Sequence, residues 1–265
     1  MRRTLHRNHA FSLVELSIVL VVLGLLVGGI LAGQSLIRAS ELRSVTTDFN
    51  RYSTAISAFR DRYFAVPGDF YDATRVWGRE NSNADCATHS GAAVSANGAC
   101  DGNDNGHLDG GTAGGSTEYH QFWRQLTLAG LIEGNYDGLS GAASALACAR
   151  GIDCPAAKIN GAVWDTYYYG TAWPGDGQSY AGNYGNGHLI LGKNVSNGLS
   201  EQAIIKPEEA WNIDQKMDDG APGTGKLIVR YWASCATAAS NADYTSPYNL
   251  ASSTMSCALY FRQLF

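Results

Sequence analysis

Charged residues are scarce in this sequence. Lys and Arg number 19 and Asp and Glu 24, together 16% of 265 residues, against roughly 25% in ordinary soluble proteins. The formal net charge of −5 offers nucleic acid no basic field to bind, so no nucleic-acid partner is expected. No G-x-S-x-G, H-E-x-x-H or phosphate-cradling Gly-Lys-Ser/Thr pattern occurs, and the six histidines show no nucleophile–base arrangement. The sequence gives no positive sign of an enzyme. No paired C-x-x-C is present either, so the six cysteines do not have the spacing of a zinc site. Internal repeats are absent beyond glycine-rich stretches. The apolar fraction, 45%, is ordinary, which excludes a chain too polar and charged to form a core. Glycine is abundant, at 31 residues, where about 7% is usual.

These averages hide a division along the chain. Met1–Ala10 carries Arg2, Arg3 and Arg7 and no acid. From Leu16 to Ile37, 22 consecutive residues lack a charge and are mostly Leu, Val, Ile and Gly. As a helix they extend roughly 33 Å, enough to cross a hydrocarbon core of about 30 Å. The run is too long for the apolar region of a signal peptide, and Ala32-Gly33-Gln34 is a poor cleavage signal. Positive charge before the span puts Met1 in the cytoplasm and the bulk of the chain outside. Glu15 breaks the pattern, sitting among Phe11, Leu13, Val14, Leu16 and Ile18. A carboxylate inside an apolar span costs on the order of 3 kcal/mol, which makes it a functional candidate; at the headgroup level it is simply solvated.

The stretch Ala10-Phe11-Ser12-Leu13-Val14-Glu15-Leu16-Ser17-Ile18-Val19-Leu20 resembles the N-terminal processing motif of type IV pilins and type II secretion pseudopilins. The resemblance implies that a prepilin peptidase removes a basic cytoplasmic leader by cutting between Ala10 and Phe11. Phe11 is then N-methylated, and Glu15 becomes the fifth mature residue. The residue before the cut is usually Gly; Ala10 adds one methyl group, and processing is still expected. Many members have Pro near mature residue 22, where this chain has Ala32, so that feature is not carried over. By the same resemblance, Glu15 of one subunit neutralises the Phe11 amine of a neighbour, since an unpaired charge in a helix bundle is costly. Gly24-x-x-x-Gly28 and Gly29-x-x-x-Gly33 would let helices approach closely, although glycine is common in membrane helices anyway. Removal of Met1–Ala10 leaves 16 basic and 24 acidic residues, a formal charge of −8.

Beyond Arg38, Leu42, Val45, Phe49, Tyr52, Ile56, Phe59 and Tyr63 recur in steps of three and four, one stripe on a helix. A helix packed along a globular domain is preferred to a coiled coil, and Pro67-Gly68 is read as its stop. The expected organisation is a leader (1–10), a transmembrane or assembly half-helix (11–37), an amphipathic upper half (38–66) and an exported domain (67–265). The fold class is α+β and pilin-like: a long N-terminal helix on a small antiparallel sheet with large loop insertions. Expected strands are Ala162–Tyr169, His188–Leu191, Leu227–Ala233 and Ala258–Leu264. Expected helices are Glu118–Glu133 and one starting at Pro207, a residue suited to a first helical position, and ending near Asp218-Asp219-Gly220.

Outside the cell an even cysteine count suggests three disulfides. The simplest guess is sequence-local pairing, Cys86–Cys100, Cys148–Cys154 and Cys235–Cys257, among 15 connectivities. The last would resemble the C-terminal disulfide loop of many type IV pilins. Between Gly91 and Gly115, eight glycines mark a long loop. Inside it, Asp101, Asn103, Asn105, His107 and Asp109 follow the spacing of the first nine positions of an EF-hand-type loop, with Gly106 sixth. A structural calcium ion is the expectation and a plain Asx-turn loop the alternative. Thr112 stands where a bidentate acid belongs, and Glu118 is a carboxylate from further along. The segment Ile213–Pro222, which resembles one recurring in large pilin-like proteins, holds Asp214, Asp218 and Asp219, read as a solvated helix end rather than a second cation site. The 14 Tyr and 6 Trp read as core and strand residues rather than a glycan surface along Trp164–Trp173. The functional expectation is a fibre subunit whose partners are other pilin copies, the peptidase and methylase, and an inner-membrane assembly platform. The alternative is a membrane-tethered binding or adhesive module.

Overall fold

A computed structural model describes residues 13–80, 86, 93–95, 97–110, 117–140, 144–169, 176–181, 187–195, 197–262 and 264–265. The chain divides into two compact units, Met1–Glu41 and Leu42–Phe265. The first helix, α1, runs Leu13–Tyr63. In the first unit its apolar side chains are exposed from Leu13 to Ile37. The Ser17 and Ser35 hydroxyls donate to the carbonyls of Val14 and Ala32, at 2.8 and 2.9 Å, so two polar groups in the apolar run are satisfied by the helix itself. The run ends where Arg38 pairs with Glu41 at 2.9 Å.

In the second unit the stripe read from the sequence faces the core. Val45, Tyr52, Ile56 and Phe59 are at most 1% exposed, and Leu42, Phe49 and Tyr63 pack half-buried beside them. They meet a four-stranded antiparallel sheet: β3 (Ala162–Tyr168), β4 (Gly187–Lys193), β5 (Leu227–Arg230) and β6 (Ala258–Phe261), in the order β3-β4-β6-β5. The register aligns Trp164, Leu191, Leu259 and Val229 on one face. That face carries the main core, where Tyr52 meets Trp164 edge-on at 5.6 Å and Phe49 stacks on Phe261 at 4.5 Å. Alternation puts Ile190, Tyr260 and Ile228 on the other face, in a smaller buried cluster. The fold is therefore α+β, as the sequence reading has it, and its stripe belongs to a helix packed on a sheet.

Boundaries differ from the sequence reading for local reasons. Helix α1 stops at Tyr63, before Pro67, because Phe64 turns into the left-handed region at φ 55°. Helix α3 (Glu118–Leu128) stops well short of Glu133. Gly130, at φ 70°, donates to the Thr127 carbonyl and Leu131 donates to that of Leu126, the paired closure of a Schellman motif. Strand β5 ends at Arg230 because Tyr231 is also left-handed, at φ 68°, and opens the short helix α5 (Trp232–Cys235). Helix α4 (Pro207–Met217) begins at Pro207, where the Glu209 carboxylate accepts from the Lys206 amide at 2.9 Å. Sequence reading gave no sign of α2 (Ala73–Trp77), nor of the two-residue strands β1 (Arg79–Glu80) and β2 (Val94–Ser95).

Candidate functional site

Ala10 and Phe11 lie outside the described residues, as do Thr112 and Trp173. Glu15 sits in the first turn of α1 and is exposed, where a negative charge complements the helix dipole. The following charge-free run has a mean hydropathy of 2.7 over its best 18-residue window and is long and apolar enough to cross a membrane. Among the described residues, a Cβ added at Gly24, Gly28, Gly29 or Gly33 meets no atom within 4 Å. Packing among those residues therefore does not require these glycines.

The pairings Cys86–Cys100, Cys148–Cys154 and Cys235–Cys257 all form. Each joins cysteines close in sequence, so the local guess holds. Cysteine is thereby removed as a metal ligand at Cys148 and Cys154, although Asp153 lies beside them.

The loop from Asp101 to Asp109 is organised differently from the spacing read in the sequence. Asp101, the expected first ligand, is tied to α2 instead. Its two oxygens accept from the Thr74 amide at 2.6 Å and the Thr74 hydroxyl at 2.8 Å. Asn103 and Asn105 both donate side-chain N–H to Asp109 Oδ2, at 2.8 and 2.7 Å. Their carbonyl oxygens accept from the amides of Asn105 and His107, which are Asx turns. The His107 ring stacks on Tyr168, with centroids 4.3 Å apart. Glu118 does reach the loop, as its position suggested. Its oxygens accept from the amides of Asn103 at 3.1 Å and Asp109 at 2.7 Å.

Asp69, which sequence reading missed, is the hub of this loop. It is 1% exposed and accepts the amides of Asn103, Asp104 and Gly106 at 3.2, 2.6 and 2.7 Å. Burial raises its pKa, against the lowering effect of those amides. Glu118 is pushed up to about 7, mainly by burial, with the charges of Asp69 and Asp109 adding. Three carboxylates thus share one loop, oxygen-rich in the way hard cations require.

In the second acidic group Asp219 is exposed and Asp218 half-buried, as a helix end has them, but Asp214 is not solvated. Asp214 is fully buried, accepts from the Tyr248 hydroxyl at 2.7 Å and is pushed up to about 7, chiefly by burial. It ties α4 to the chain between Cys235 and Cys257. Asp218 accepts from the Leu227 amide at 2.9 Å, and Asp219 from the Ala221 amide at 2.9 Å and the Thr224 hydroxyl at 2.6 Å. Oxygens of these three acids lie within 4.8 Å of one another. On the outer sheet face, Glu201 accepts from Tyr260 at 2.6 Å and pairs with Arg230 at 2.9 Å. Arg230 also holds Asp176 at 2.7 Å.

Comparison with known proteins bears on the N-terminal segment. Residues 5–31 match the family model described as the prokaryotic N-terminal methylation motif. No curated protein and no solved structure matches the chain. The matched span contains Ala10, Phe11 and Glu15 and runs into the charge-free part of α1. The chain carries the prepilin-type signature of type IV pilins and pseudopilins.

Proposed function

We propose that this chain is a structural subunit of a type IV pilus or a type II secretion pseudopilus. A prepilin peptidase cuts between Ala10 and Phe11, Phe11 is N-methylated, and the subunit assembles through its N-terminal helix with other copies or related pilins. The observation that carries this reading is the methylation motif over residues 5–31, continued by an exposed, charge-free helix. Before assembly the chain spans the inner membrane once, with Met1 cytoplasmic and residues 67–265 on the far side. Glu15 of one subunit neutralises the Phe11 amine of its neighbour, because an isolated charge within an apolar bundle is costly. The assembly platform of the inner membrane is the remaining partner.

Mass spectrometry of the protein purified from cells with an active prepilin peptidase tests the reading. A mature N-terminus at N-methyl-Phe11 supports it, and an intact Met1–Ala10 leader overturns it in favour of a tethered module. Glu15→Ala is expected to stay in the membrane and fail to enter fibres; normal incorporation refutes the charge-pairing role. We propose in addition that a structural calcium ion joins the Asp101–Asp109 loop through Asp109, Asn103 and Asn105, with Glu118 as the further carboxylate. Its support is the oxygen spacing of the loop and the arrival of Glu118 there.

A further inference from the structure

The last turns of α1 carry a second feature. Ser57, Arg60 and Asp61, at i, i+3 and i+4, share one face of the helix and, with Phe64 just past its end, line a cavity of 690 Å³. Asp104, Asn105 and Gly106 form its other wall, and Val66 and Asp69 belong to its floor. The volume lies within the range of about 300–1,000 Å³ usual for ligand sites. Phe64 is unusual in two ways. Its backbone lies in the left-handed region that bulky residues avoid, at the position beyond a helix end where glycine is the usual choice. Its ring is 90% exposed and makes no ring contact with another described residue. An aromatic ring held in strained backbone, with no ring to pack on among the described residues, points to an external contact.

We infer that this cavity binds a neutral or amino sugar. A pyranose needs donors and acceptors for adjacent hydroxyls and an apolar surface for its C–H face. The Arg60 guanidinium supplies donors, and the Asp61 and Asp104 carboxylates supply acceptors. Among the described residues, the side chains of Arg60, Asp61 and Asp104 have no hydrogen-bond or ion-pair partner. Asp69 is not a ligand, since its oxygens already hold the amides of Asn103, Asp104 and Gly106; it positions that wall. The Phe64 ring offers the flat apolar face. Formal charge decides among ligand classes: one Arg against three Asp leaves the lining negative, which disfavours phosphorylated and uronic sugars. A purely apolar ligand would leave Arg60, Asp61 and Asp104 desolvated without partners.

The test is calorimetric titration and saturation-transfer NMR on the full chain in detergent micelles. The probes are glucose, galactose, mannose, N-acetylglucosamine and glucosamine, with their trisaccharides, and glucuronate as the anionic control. At least one neutral or amino sugar is expected to bind with Kd of about 0.1–10 mM and glucuronate to bind more weakly. Phe64→Ala is expected to weaken binding about fivefold or more, and Asp61→Asn comparably. Phe64→Gly suits the left-handed backbone, so it should weaken binding without lowering the thermal midpoint. Tyr71→Ala, which removes an exposed ring outside the cavity lining, should leave binding unchanged. The inference is overturned if no sugar binds, if Phe64→Ala and Asp61→Asn bind as wild type does, or if methylguanidinium displaces the sugar at equal concentration, which would make this a site for organic cations.

Discussion

Glu118 links the loop, the proposed ion and pH, and it gives a sharp test. Its carboxyl is pushed up to about 7 in the folded protein, from an ordinary value of 4.5. The folded state therefore holds more protons than the unfolded one between those two values. The stabilisation is complete below about pH 4.5 and is lost as pH rises through 7. The distance between those two values sets a ceiling of about 3.4 kcal/mol. The carboxyl is only partly buried and water screens it, so about 1–2 kcal/mol is expected. For a unit of this size that is about 2–8 °C in the thermal midpoint. Thermal unfolding by circular dichroism, followed from pH 4.5 to 8 in chelator, measures it. Glu118→Gln, which stays neutral, should lose this share of the slope while keeping what Asp153 and Asp214, also pushed up to about 7 by burial, contribute. Calcium favours the ionised carboxyl, so it should raise the midpoint at pH 7.5 more than at pH 5, and less in the variant. Superimposable pH curves for wild type and Glu118→Gln would refute the electrostatic argument. A calcium effect equal in both proteins, or absent, would remove the ion.

The cysteine and loop contacts give two further tests. Replacing Cys235 and Cys257 together by Ala frees a loop of sequence separation 22, a chain-entropy loss of about 3.4 kcal/mol. The same change at Cys148 and Cys154, separation 6, should cost about 2.2 kcal/mol, and urea unfolding that reverses this order would contradict the loop-closure account. Asp101→Ala should destabilise by about 2 kcal/mol in calcium and in chelator alike, because it removes an acceptor from the buried Thr74 amide and hydroxyl. A loss seen only in calcium would instead make Asp101 a metal ligand.

Much of the scaffold was legible because it rests on patterns close in sequence. The α1 stripe is a period, Pro207 marks a helix start, and each disulfide joins cysteines at most 22 residues apart. Part of what was not legible depends on backbone groups, which carry no residue signature. Asp69 holds amides 34–37 residues away, and any residue type there would donate the same N–H. The EF-hand spacing drew attention to Asp101, whose partner Thr74 lies 27 residues earlier. Asp214 resembled a solvated helix end because its partner, Tyr248, comes from the far disulfide loop. The five residues of α2 are too few to show a period, and nothing marks Phe64 as the residue that turns left-handed.

The loop-amide cases share one cause. The second unit has long stretches outside helix and strand, and their backbone N–H groups need acceptors that no ladder provides. Buried or half-buried carboxylates serve instead. Asp69 takes three loop amides, Glu118 two, and Asp165 those of Thr166 and Ser200. Asp176 takes Gln178 and Ser179 together with Arg230. A carboxylate suits this work because it offers about four acceptor positions on two oxygens. The cost is desolvation, and it differs with the neighbours. Burial opposes ionisation of Asp176, yet its amides and Arg230 hold it below the usual carboxylate range. Asp165 has amides but no cation among its stabilising neighbours, and burial pushes it up to about 6. Where acids serve as internal fastenings, a low charged fraction understates their structural role. A protein with few charges and several of its acids turned inward then draws its pH sensitivity from its loops rather than from its surface.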